Sequence, residues 1–145
     1  MNDRLPDTKQ KQLAQYWQRG SEDDLETARA VANGTQRFHA ALFYAHLAIE
    51  KALKAQYVAL HGTHAPYTHN LLHLCAKIGW ELIDDDKRFK ELLLEFNEFN
   101  LEGRYPDEKE AFRRKVTEGY TKQKLAELEE VLLWISQKSK PASSS

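Results

Sequence analysis

Four of the chain's six histidines fall in one stretch, "HGTHAPYTHNLLH", residues 61–73. His69 and His73 are four apart. On a helix that spacing sets two imidazoles one turn apart, where both can reach a single metal ion. A stable zinc site needs three or four protein ligands. The others would have to come from His61, His64 or a distant acid. The residue after His69 is Asn70, so the stretch lacks the glutamate of an H-E-x-x-H site. No metal and no catalytic residue is assigned. The plainer reading is a histidine cluster at a helix start, flanking the apolar Leu72–Cys75 face.

Two further stretches carry chemistry. In "IEKALKA", residues 49–55, Glu50 precedes Lys54 by four, the favourable order for a helix ion pair worth about 0.3–0.5 kcal/mol. Spacing predicts an exposed, salt-bridged face. The sharper alternative is a charged strip beside a groove, with Lys51 and Lys54 open to phosphates. In "NLEGRYPDEK", Arg104 follows a helix terminator and Tyr105 follows it. A guanidinium fork on a loop can clamp a phosphate or carboxylate, and a tyrosine can stack on a base. The alternative for Arg104 is an ordinary ion pair between helices.

These residues must be positioned by helices. Spacings of three and four predict a helix from about Thr8 to Ala32, a second over 37–61 ended by Gly62, and a short one from His69 to Lys77 capped by Thr68. A fourth is expected from Asp86 to Leu101, and a last over 118–138 carried by Leu125, Leu128, Leu132 and Ile135. No strand pattern and no solenoid repeat is visible. The expected fold is all-α, an antiparallel up-and-down bundle of four main helices plus a short one. It would be a single domain over 8–138, with a flexible tail at 139–145.

Composition narrows the function. The chain of 145 residues is 41% hydrophobic and 30% charged. Its 21 Lys+Arg against 22 Asp+Glu give a net charge of −1. There is thus no strong nucleic-acid signal and no general attraction to anionic membranes. Charge is uneven, however: eleven acids against five bases lie between Trp80 and Glu110, a local −6 that suits a solvated face or a basic partner. One cysteine, Cys75, excludes an intrachain disulfide and fits a reducing, cytoplasmic setting. The polar start "MNDRLPDTKQKQ" is not a secretory signal, and no apolar run approaches the roughly 20 residues of a membrane span. P-loop, Rossmann, EF-hand and nucleophile-elbow patterns are absent.

Taken together, the motifs resemble the HEPN domain family. "YWQRGSEDDLETA" (Tyr16–Ala28) is similar to the family's opening helix, with its Trp and Asp-Leu pair. "LFYAHLAIEKALKA" (Leu42–Ala55) is similar to its alanine-rich Glu-Lys-x-Leu-Lys helix. "YTHNLLHL" (Tyr67–Leu74) resembles its Thr-His-Asp-Leu segment, with Asn70 in place of the acid. "EFN…GRYPD" resembles the Arg-Tyr-Pro element before the last helix, and the likeness covers roughly residues 10–135. The resemblance implies a dimeric helical bundle of a prokaryotic protein. It also implies partnership with a minimal nucleotidyltransferase, as substrate-binding subunit or in a toxin–antitoxin-like pair, with no resident cofactor and a nucleotide such as ATP as ligand. The groove would involve Arg104, Tyr105, His69, Lys51, Lys54 and Glu50. The family's RNase branch carries R-x(4–6)-H, and no arginine here has a histidine at that distance. A rearranged RNase is the alternative, with His69 of one protomer as general base and Arg104 of its partner on the phosphorane. A dimeric scaffold with no ligand is the third reading.

Overall fold

The computed structural model describes residues 3–140. Its helices are α1 (Asp7–Gly34), α2 (Phe38–His61), α3 (Leu71–Ile78), α4 (Lys87–Asn97), α5 (Pro106–Lys115) and α6 (Glu118–Lys138), with a 3₁₀ turn at Asp84–Asp86. The all-α bundle is as expected, and no strand occurs among the described residues. The tail expected at 139–145 lies outside the described residues from 141 onward. Among the described residues, no helix is long and apolar enough to cross a membrane.

α2 is the central post and packs against α1, α3, α4, α5 and α6. Its sequence explains why. Ala41, Ala45, Ala48, Ala52 and Ala55 are all buried, so neighbouring helices approach without bulky side chains between them. α1 comes close enough for the Ser21 hydroxyl to donate to the Ala48 carbonyl at 2.7 Å. A Cβ on Gly20 would sit 2.9 Å from Lys51 Cδ, so the glycine makes room for a side chain of α2. α2 ends where Gly62 turns left-handed, at φ 72.

Three elements differ from the sequence expectation. α3 begins at Leu71, leaving His69 in the loop, and its cap is Asn70, not Thr68. The Asn70 side chain accepts the Leu72 and His73 N–H groups. The one-turn stacking of His69 and His73 is therefore not realised. α4 stops at Asn97, short of Leu101, because Asn97 Oδ1 accepts the Leu71 N–H at 2.9 Å and the chain then tightens into i→i−3 bonds through Asn100. α5 is an additional helix. Pro106 occupies its first turn, Asp107 and Glu108 face the positive end of its dipole, and Arg113, Arg114 and Lys115 face the negative end.

The core joins Leu42, Ile49 and Leu53 of α2 to Leu93 and Phe96 of α4 and to Leu128 and Ile135 of α6. Two carboxylates tie α6 to the α4 region. Asp86 accepts the Trp134 indole N–H and the Lys138 ammonium, each at 3.0 Å. Glu95 accepts the Tyr120 hydroxyl at 2.6 Å and is paired with Lys124. Burial raises both carboxyl pKa values, but these donors outweigh it and hold both below the usual carboxylate range. Groups depressed on folding add stability that is fully present above the unfolded carboxyl pKa and is lost as pH falls through the folded one. The thermal midpoint is thus expected to hold from neutral pH to about pH 5 and to fall below about pH 4. An Asp86→Asn/Glu95→Gln variant, less stable at neutral pH, should show a shallower acid limb by circular dichroism. Equal acid limbs would contradict the assignment.

Candidate functional site

Glu50, on the inner side of α2, organises the site. Lys54, one turn on, donates to Glu50 Oε2 at 3.0 Å, and its ammonium lies 5.1 Å from the Trp17 ring of α1. Both residues are buried, at 4% and 6% exposure. The expectation of a solvated salt bridge therefore fails: the pair exists, but inside the bundle. Glu50 Oε1 takes a second partner, His69 Nδ1 at 2.9 Å. His46, one turn earlier on α2, is fully buried, and its Nε2–H donates to the His69 carbonyl at 2.9 Å. Burial lowers the His46 pKa, and the same backbone bond and Glu50 oppose the shift without reversing it. His46 is therefore neutral at neutral pH. It fixes the loop through its carbonyl while Glu50 fixes the imidazole.

The other face of His69 looks outward. Its Nε2 is 3.4 Å from Glu102 Oε2, on the α4–α5 loop. The exposed ring of Tyr67 lies 6.2 Å from the His69 ring. The Glu102 loop is shaped by Gly103, at φ 77, and by the Arg104 N–H bonding the Leu101 carbonyl at 3.3 Å. A left-handed residue at 103 is what lets so short a turn reverse. Arg104, next along, is half-buried. Its guanidinium makes no ion pair among the described residues, so the interhelix pair weighed for it is not present. Tyr105 is 71% exposed.

The six candidate residues thus divide. Glu50, Lys54 and His69 form one connected assembly, and Glu102 ties it to the loop bearing Arg104 and Tyr105. Lys51 faces α1 and pairs with Asp24 at 2.8 Å. Lys54 is buried, and the partly exposed Lys51 has its ammonium paired on the α1 side, away from Arg104. His46, Glu102 and Trp17 belong to the assembly and were not singled out from sequence. The His46–Glu50 spacing of four was a usable signal. Glu102 and Trp17 meet the site only through long-range packing. Of the remaining histidines, His61 Nε2 lies 3.1 Å from the Ile78 carbonyl and ties the ends of α2 and α3 together. Among the described residues, no group of three or more His, Cys, Asp or Glu is arranged to hold a metal.

The family model for the HEPN domain matches residues 14–138. No curated protein matches the chain. Among solved structures, the chain is similar to TT1696 from Thermus thermophilus. The two share 24% identity and a TM-score of 0.70, over 86% of this chain and 97% of that one. At that identity the likeness speaks for the fold.

Proposed function

The chain belongs to the HEPN domain family, and on that premise we propose that it is a nucleotide-binding and interaction module that partners a minimal nucleotidyltransferase. It would act as a homodimer, either as substrate-binding subunit or in a toxin–antitoxin-like pair, in the cytoplasm of a prokaryote. The observation that carries the reading is Arg104: a half-buried guanidinium with no carboxylate partner, between an exposed tyrosine and a loop braced on His69. Such a group has lost part of its hydration without gaining a counter-charge, and a phosphate supplies one through paired N–H donors. Tyr105 would stack on the base. Glu50, Lys54 and His46 would position the His69 loop from beneath. Lys51, paired on the α1 side, has no part in this version of the groove.

The RNase alternative is less well supported. His69 is engaged by Glu50 at 2.9 Å and faces Glu102 at 3.4 Å, and two carboxylates beside the imidazole repel a scissile phosphate. The test of the proposal is co-expression with a minimal nucleotidyltransferase, followed by purification on a tag carried by one partner. Co-purification at equal stoichiometry, strengthened by ATP, is expected. Failure to co-purify together with no ATP binding would overturn it.

A further inference from the structure

A second basic cluster stands at the end of the bundle where the α1–α2 turn meets the end of α5. A cleft of ≈ 560 Å³ there is lined by Arg37, His39 and Arg113, with Phe38 and Val116 as its apolar wall. We propose that Arg37, His39 and Arg113 form a binding site for a phosphate group, distinct from the Arg104 loop and going beyond the function proposed above.

Three observations support it. First, neither guanidinium is held in an ion pair. Neither Arg37 nor Arg113 pairs with a carboxylate among the described residues, whereas the adjacent Arg114 reaches Glu110 at 3.8 Å. Second, the groups are held in place. Arg113 Nη2 donates to His39 Nε2 at 3.2 Å, which leaves Nδ1 as the protonated nitrogen of a neutral ring. Thr35 Oγ1 accepts the Arg37 N–H at 3.0 Å while donating to the Val31 carbonyl at 2.7 Å, so the turn carrying Arg37 is fixed. Third, His39 registers the field of the cleft. Burial lowers its pKa, and the charges of Arg113 and Arg37 lower it further, against a smaller opposing effect of Glu110.

Two guanidiniums and an imidazole N–H suit a group with several acceptor oxygens and two negative charges better than a single carboxylate. The first turn of α2, which has no side-chain cap, opens at the same cleft and adds its dipole. His39 and Glu50 are eleven residues apart on one helix, about 16 Å along its axis. The cleft is therefore separate from the Glu50–His69 assembly that braces the Arg104 loop.

The experiment follows the His39 imidazole by side-chain NMR while inorganic phosphate, then AMP, is added to the whole chain. A saturable shift with both is expected. The apparent affinity should fall about tenfold in Arg37→Gln and in Arg113→Gln, with thermal midpoints unchanged. Arg104→Ala should keep the response, which separates this site from the proposed nucleotide site. An equal shift with chloride at matched ionic strength would overturn the proposal. So would an unchanged affinity in the Arg37→Gln/Arg113→Gln double variant, or a response to AMP without one to phosphate.

Discussion

Replacing Glu50 with glutamine is expected to lower the thermal midpoint by roughly 10–20 °C. The side chain keeps its shape but loses its charge, which leaves the Lys54 ammonium buried without a counter-ion. Removing one partner of a buried pair costs about 3–5 kcal/mol, far more than the pair itself contributes over apolar residues. The Trp17 ring beneath Lys54 offsets only part of this, about 0.5–2 kcal/mol. His69 loses a charged acceptor at the same time. The double variant Glu50→Gln/Lys54→Met should recover most of the loss, because the orphaned charge is gone. Thermal unfolding by circular dichroism measures both. A Glu50→Gln midpoint within about 2 °C of wild type would show that Glu50 does not compensate a buried charge.

The second large effect is Phe99→Ala, expected to cost about 3–5 kcal/mol. Phe99 is 1% exposed, and its ring meets Phe96 at 5.1 Å, Phe112 at 5.7 Å and Tyr120 at 6.2 Å. It joins the end of α4 to α5 and α6 from inside, beneath the loop that carries Glu102 and Arg104. The cavity left by alanine should therefore loosen that loop more than the rest of the bundle. Amide exchange over 98–112 is expected to quicken well before exchange in the α1–α2 pair. Phe99→Leu, which refills part of the volume, should fall between alanine and wild type. Uniform quickening along the chain would contradict the local role.

How much of this was legible in the sequence depended on what each element rests on. α2 was readable because its alanine and leucine spacings face a continuous core and Gly62 stops it. α5 was not, because Phe112 is its only buried residue. Its helicity rests on Pro106 and on charges matched to the dipole, which leave no apolar stripe to detect. The Glu50–Lys54 pair was readable from its spacing, but its burial was not. Burial comes from Trp17 on another helix and from the His69 loop, and spacing along one helix carries no information about what covers it. Lys51 illustrates the same limit: one residue from Glu50, about 100° around the helix, it meets Asp24 of α1 instead of the site. Gly103 and Pro106 mark a break in the helices at Arg104, yet the tie from Glu102 to His69 required the fold.

Nucleotide binding through Arg104 is tested by calorimetric titration of ATP into the wild-type chain and into Arg104→Ala. Arg104 is half-buried and unpaired, so its loss should leave the fold intact, with an unchanged thermal midpoint. Saturable binding by wild type is expected, with an affinity lower by about tenfold or more in the variant. Equal affinities in the two proteins, or no binding heat in the wild type, would contradict it.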